Sequence, residues 1–344
     1  MRTICTVVGA ACALVTGAAA QGLEVGAKAP AFALAKMVRG APVASLSAGK
    51  VHLIEFWGTS AGAGFERFEE FAALRKTHGK ELAVVGVVGP DPEQYDFETV
   101  ADYYREHGDA IDFAIGFDDG GKLHEAWVAA AAAEPPHVFL VDAKGNVAWS
   151  GGLGFLPLAL PVVMKGDVDY AKLSAEQEAA KKKFIRLTFL ASLKPAGTVK
   201  ELDAFVARWP ALAHLATTTA WGQLLEGDDP GLALQLCDRM VEVCSAAADA
   251  MHLNWVAWTL VDPELEWPDR MLATAEKAAQ KAVALTAGED SSMLDTLARV
   301  AFWKQDFKQA VELQQKAVKK EEDPDERAGL VVTLGEYQRL LDGK

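Results

Sequence analysis

Cysteine is nearly missing from this chain. Four of its 344 residues are Cys, and two of them, Cys5 and Cys12, fall in the first twenty positions. That stretch reads as a secretory leader: Arg2 gives a short positive start, Ile4 to Val15 is apolar, and Ala18-Ala19-Ala20 ahead of Gln21 fits a small-residue cleavage site. The expectation is a leader at 1–20 and an exported protein, periplasmic or extracellular. Cys12 stands too early, before Ala13, for a lipoprotein cleavage cysteine. A retained membrane anchor is the competing reading, but the stretch is rich in Ala, Gly and Thr and falls short of the ~20 strongly apolar residues a spanning helix needs. No later run approaches that length, so no membrane insertion is expected after cleavage. The remaining cysteines, Cys237 and Cys244, stand two helical turns apart, roughly 10.5 Å. A disulfide tolerates a Cα separation of about 7 Å at most. They read as small buried side chains of a helical core.

Positive charge is short as well. Lys and Arg number 34 against 48 Asp and Glu, a formal net charge of −14, which disfavours nucleic acid and anionic membrane surfaces as partners. The seven histidines are scattered and show no His/Asp/Glu spacing of a zinc or hydrolytic site. Gly62-Ala63-Gly64 is too short for a phosphate loop and has no Lys after it. No metal and no cofactor are expected.

What the chain does contain changes character partway along. Residues 26–152 alternate short β-type runs with helical stretches, which predicts a mixed or parallel sheet with crossover helices. Val51 to Trp57 is one such run, and Leu82 to Val88 is a buried strand closed by Gly89-Pro90-Asp91-Pro92. Thr99 to His107 reads as a helix, Asp112 to Phe117 leads into a strand, Asp118-Asp119-Gly120-Gly121 is a turn, and Leu123 to Ala133 is an alanine-rich helix. After Pro135-Pro136, His137 to Val141 pairs with Val147 to Trp149 as a hairpin across Asp142-Ala143-Lys144-Gly145-Asn146. Gly151-Gly152-Leu153-Gly154, with Pro157 and Pro161, marks the end of the first domain, set at 21–165. From about Ala175 to the end at 344, Ala, Leu, Glu, Lys and Gln dominate at helical spacing.

The helical part carries an internal match. Gln280-Lys281-Ala282-Val283 recurs as Gln315-Lys316-Ala317-Val318, and Ala275 recurs as Ala310 in the same register. An aromatic-rich helix precedes each copy, Trp255 to Trp258 before the first and Leu294 to Trp303 before the second. The offset is close to the period of about 34 of tetratricopeptide repeats, and 211–246 reads as a degenerate third unit. An unrelated helical bundle with a coincidental match is the alternative.

Several of these segments together resemble the redoxin branch shared by TlpA-like thioredoxins and peroxiredoxins. Gly26-Ala27-Lys28-Ala29-Pro30-Ala31-Phe32 is similar to its opening, and Glu55-Phe56-Trp57-Gly58-Thr59 to the strand that enters the TlpA-like active site. Pro136-His137-Val138-Phe139-Leu140-Val141-Asp142 resembles its cis-proline segment. The resemblance covers about 26–165 and implies an α/β thioredoxin-like fold, here followed by an all-α helical-repeat domain. It breaks at the redox motif. The two cysteine positions of the family's Cys-Gly-Pro-Cys hold Ala61 and Gly64, its second Trp is Ser60, and the proline that kinks its first helix is Glu69. A helix N-terminus activates a thiol by lowering its pKa; with no sulfur there, that chemistry has no nucleophile. Glu55 matches the family's buried acid. By resemblance Pro136 follows a cis bond, and Trp57, Ser60, Pro136 and His137 line a surface where an extended peptide pairs in β fashion.

Three functions remain open: a non-catalytic module that binds a protein or peptide through its helical repeats and the cis-proline surface, a thiol–disulfide oxidoreductase using Cys237 or Cys244, and a structural scaffold.

Overall fold

A computed structural model describes residues 23–57, 68–89, 97–107, 113–227, 230–267 and 270–343. Its elements divide into two compact units. One runs to Leu153 and includes Leu160–Ser174; the other consists of Gly154–Ala159 and Ala175–Lys344.

The first unit is built on one six-stranded sheet: β1 (Met37–Arg39), β2 (Val51–Trp57), β3 (Leu82–Val88), β4 (Ala114–Phe117), β5 (His137–Val141) and β6 (Val147–Gly151), in the order β1-β4-β3-β2-β5-β6. Strands β2, β3 and β4 run parallel, and β1, β5 and β6 are antiparallel to their neighbours. Helix α1 (Phe68–His78) crosses from β2 to β3, α2 (Phe97–His107) follows β3, and α3 (Leu156–Met164) follows the β5–β6 hairpin. A β-α-β unit joined through a central strand to a β-hairpin and a closing helix is the thioredoxin-like arrangement, and among the described residues no strand lies beyond β6. Strand β2 is central because every one of its residues, Val-His-Leu-Ile-Glu-Phe-Trp, is buried, as a strand covered on both faces requires.

The sheet segments expected from β-type runs form where the sequence places them. The alanine-rich stretch after Leu123 does not form the plain helix expected through Ala133. His124–Ala129 is a π-helical turn, with i→i+5 bonds from Ala130 N to Glu125 O at 3.2 Å and from Ala133 N to Val128 O at 3.0 Å. The wider turn buries Trp127 and Val128 side by side, with the Trp127 ring edge-on to Phe32 and Phe139.

The second unit is helical throughout the residues described. It holds most of α4 (Tyr170–Leu193), then α5 (Thr198–Arg208), α6 (Ala213–Leu225), α7 (Cys237–Ala246), α8 (Ala250–Val261), α9 (Leu272–Leu285), α10 (Ser291–Trp303), α11 (Phe307–Lys320) and α12 (Pro324–Leu341). Helix α8 packs on α9, α10 on α11, and α11 on α12. Aspartates 249, 290, 306 and 323 cap the N-termini of α8, α10, α11 and α12, each such bond contributing ~1 kcal/mol. Ala275, Ala282, Ala310 and Ala317 are all fully buried. Side chains this small allow the α9 and α11 backbones to approach their neighbours closely.

Candidate functional site

The parallel strands β2, β3 and β4 end at Trp57, Val88 and Phe117, so their carboxyl ends lie along one edge of the sheet. Open α/β sheets bind their ligands at such carboxyl ends. Alternation along β2 divides its last residues between two faces. Phe56 points to the face covered by the π-turn, with Trp127, Phe139 and His124 around its ring. Glu55 and Trp57 point to the other.

Trp57 is a core residue, not part of an exposed binding surface: only 5% of it is accessible. Its Nε1 donates to Glu55 Oε2 at 2.5 Å, and its ring stacks on Tyr104 of α2 at 6.4 Å between centroids. Directly across the ladder from Glu55 stands Gly86, where a Cβ would overlap the Trp57 ring. The glycine inside the apolar Leu82–Val88 run was the available signal, since a strand glycine marks a close approach. Glu55 is 1% exposed, a carboxylate buried beneath an indole rather than facing a cleft.

Pro136 is exposed and the Pro135-Pro136 peptide bond is cis. His137, half-buried, opens β5 directly opposite Phe56, and its ring lies 5.0 Å from that of Phe139. The sheet therefore brings Pro136 and His137 beside the end of β2. Ser60, Ala61 and Gly64 lie outside the described residues.

The same edge carries a pair that motif reasoning passed over. Asp118 follows β4 and was read only as a turn residue. It is 4% exposed and accepts from the backbone N–H of Leu123 at 3.1 Å and of His124 at 2.8 Å. Its Oδ2 also lies 3.0 Å from His124 Nδ1. Burial pushes the Asp118 carboxyl up, but these bonds to His124 and Leu123 outweigh it and leave the pKa lowered. The carboxylate fixes the imidazole, which stands edge-on to Phe56 at 5.0 Å. Among the described residues its Nε2 is buried without a partner, and it lies so near Gly89 that a Cβ there would come within 2.7 Å of it. The arrangement holds one histidine in one orientation at the sheet edge. Gly89 directly after a strand was the only trace of it in the sequence.

The two thiols lie elsewhere. Cys237 and Cys244, at opposite ends of α7, are free and fully buried. The Cys237 thiol bonds the Ala233 carbonyl at 3.7 Å, and burial pushes its pKa up to about 11. Burial, with Asp249 nearby, pushes Cys244 up to about 12. A thiol attacks a disulfide as the thiolate, and neither group holds that form at neutral pH. Close to Cys244, Asp249 Oδ2 is 2.8 Å from His214 Nε2 and 2.7 Å from His252 Nδ1. Burial pushes the Asp249 carboxyl up, yet its bonds to the two histidines dominate and hold it well below the usual carboxylate range. No local spacing announces this cluster, because its members come from α6, α7 and the start of α8.

No family model matches the chain. Protein FixW of Rhizobium leguminosarum is 27% identical to it over 158 residues, 43% of this chain and 69% of that protein. Among solved structures it is similar to StoA of Bacillus subtilis, at 18% identity, TM-score 0.30, 36% of this chain and 87% of that one. The thioredoxin-family thiol:disulfide interchange protein of Chlorobium tepidum is 22% identical, with TM-score 0.30, 36% of this chain and 84% of that one. The exposed lipoprotein thioredoxin Etrx1 of Streptococcus pneumoniae is 20% identical, with TM-score 0.33, 40% of this chain and 98% of that one. The strand order is what makes the first unit thioredoxin-like. Among the described residues no helix is long and apolar enough to cross a membrane.

Proposed function

We propose that this is an exported thioredoxin-fold protein that has lost its redox cysteines and serves as a non-catalytic binding module for a protein or peptide, its helical part forming tetratricopeptide-like repeats. One observation carries the reading: Ala61 and Gly64 stand where the resemblance requires sulfur, and the thiols that follow the leader are buried in the other unit with raised pKa values. That burial speaks against an oxidoreductase working through Cys237 or Cys244. Buried alanines in register on α9 and α11 support the repeat reading.

The binding face is placed in the helical part. Ile185, Phe189 and Leu193 of α4 follow one another at four-residue spacing and are 55%, 62% and 72% exposed. An apolar stripe of that kind on a soluble protein usually meets a partner. The Pro136-His137 edge is a weaker candidate, because the Trp57 that would accompany it is buried. The test is capture of a partner from envelope extract by the full chain. Phe189→Asp should abolish capture while Pro136→Ala leaves it unchanged. Loss with Pro136→Ala alone would move the binding face to the thioredoxin-like unit.

A further inference from the structure

The helical unit brings sulfur, nitrogen and oxygen donors together from three separate elements. His214 is the second residue of α6, and Cys244 lies in the last turn of α7. The chain then reverses: Ala248 adopts a positive φ of 54°, and Asp249 N bonds back to Cys244 O at 2.9 Å. This turn sets the Asp249 side chain over the end of α7. Asp249 Oδ1 caps α8 by accepting from His252 N at 2.9 Å, which leaves Oδ2 for other partners. One ligating atom from each of His214, Cys244 and Asp249 lies within 4.8 Å of the other two. His252 shares the same carboxylate oxygen from the side.

We infer that His214, Cys244 and Asp249 form a binding site for a borderline transition-metal cation of the zinc class, with an open fourth position and His252 orienting the carboxylate. The donor set fits that class: thiolate, imidazole and carboxylate are the zinc ligands, and three protein ligands with one open position is a recurrent zinc geometry. Hard cations such as magnesium and calcium take all-oxygen shells and would not recruit the sulfur. The distances are within reach. Metal bonds of about 2.0–2.1 Å to N and O and about 2.3 Å to S hold tetrahedral ligand atoms roughly 3.3–3.6 Å apart. The His214–Asp249 pair, 2.8 Å apart, therefore opens by about half an ångström, and the thiol, within 4.8 Å of both, closes by at most about 1.3 Å, which side-chain rotation supplies. His214 and His252 are partly exposed, so the ion has an approach, while Cys244 is reached only from within the cluster. Binding releases the Cys244 proton to solvent and shifts the His214 proton from Nε2 to Nδ1, so that Nε2 offers its lone pair. His252, 2.7 Å from Asp249 Oδ2, then holds the ligating carboxylate in orientation, as hydrogen-bonded partners of metal ligands commonly do.

Cobalt(II) titration of the full chain tests this, with Cys5→Ser and Cys12→Ser introduced so that Cys237 and Cys244 are its only thiols. One equivalent should bind, with a four-coordinate ligand-field spectrum and a thiolate-to-cobalt charge-transfer band, and zinc should displace it. The band should persist in Cys237→Ser and vanish in Cys244→Ser. His214→Gln, at a partly exposed position that leaves the core intact, should weaken cobalt binding at least about tenfold. That variant decides the matter if Cys244→Ser fails to fold by circular dichroism. Absence of a thiolate band at saturating cobalt, a band that survives Cys244→Ser, or unchanged affinity in His214→Gln would each overturn the assignment.

Discussion

The two units divide the requirements of thiol chemistry between them. The sheet unit has the strand-to-helix frame at the end of β2 but contains no cysteine anywhere between Ala13 and Leu236. The helical unit has both cysteines, at opposite ends of α7, but buries them completely, and burial pushes both thiols well above the usual range. Reactivity belongs to sulfur in a particular position, and both thiols among the described residues are buried in the helical unit. The carboxylate–histidine pairs differ in a parallel way. Asp118 fixes a single imidazole against apolar ring edges, whereas Asp249 is shared by two imidazoles and lies near a thiol. The first can only orient a side chain; the second has the donors to hold an ion.

The sharpest way to break this comparison is to attack the packing that keeps Trp57 inside the sheet unit. Trp57→Ala should cost about 3–5 kcal/mol in denaturant unfolding of the full chain, as for other buried aromatics, because it empties the space above Gly86 and strips Glu55 of a donor. A cost below about 1 kcal/mol would restore Trp57 to the surface. Gly86→Ala should destabilise in the same direction, since the added methyl overlaps the indole.

Next in size is the helical unit. Ala282→Leu or Ala317→Leu places a large side chain at a fully buried position and should cost about 1–3 kcal/mol through overpacking. Unchanged melting temperature in both would remove the close helix approach on which the repeat reading depends.

Much of the sheet unit was legible in the sequence for a simple reason. Val51–Trp57, Leu82–Val88 and His137–Val141 are mostly apolar, β-rich runs bounded by turn residues, and such runs have few alternatives to a buried strand. The π-turn at His124–Ala129 was not legible, because alanine supports any helical pitch and the widening comes from seating Trp127 among Phe32, Phe56 and Phe139. The site was less legible than the fold. The family resemblance put Trp57 on a binding surface; its burial depends on Gly86, a residue 29 positions on that only the parallel ladder brings alongside. The His214–Cys244–Asp249 cluster depends in the same way on three helices meeting.

The smallest expected effect sharpens the contrast between the two carboxylates. The Asp118 pKa is lowered in the folded protein. Its stabilisation is therefore fully present above the unfolded value of about 3.9 and is lost as pH falls through the lowered folded value. Asp118→Asn should reduce stability modestly near neutral pH and flatten this acid-side loss, as read by thermal melts across acid pH. An unchanged acid limb would mean that the bonds from Leu123 and His124 do not favour the ionised form.

The claim that binds these observations together is that neither Cys237 nor Cys244, the thiols among the described residues, is positioned for disulfide chemistry. The most direct measurement is the rate of insulin disulfide reduction by the full chain in the presence of dithiothreitol, alone and with Cys237→Ser and Cys244→Ser combined. The account predicts a rate no faster than dithiothreitol by itself, identical in parent and variant. Turnover above that background would contradict it, and turnover that disappears with the two substitutions would show that α7 opens to expose a working thiol.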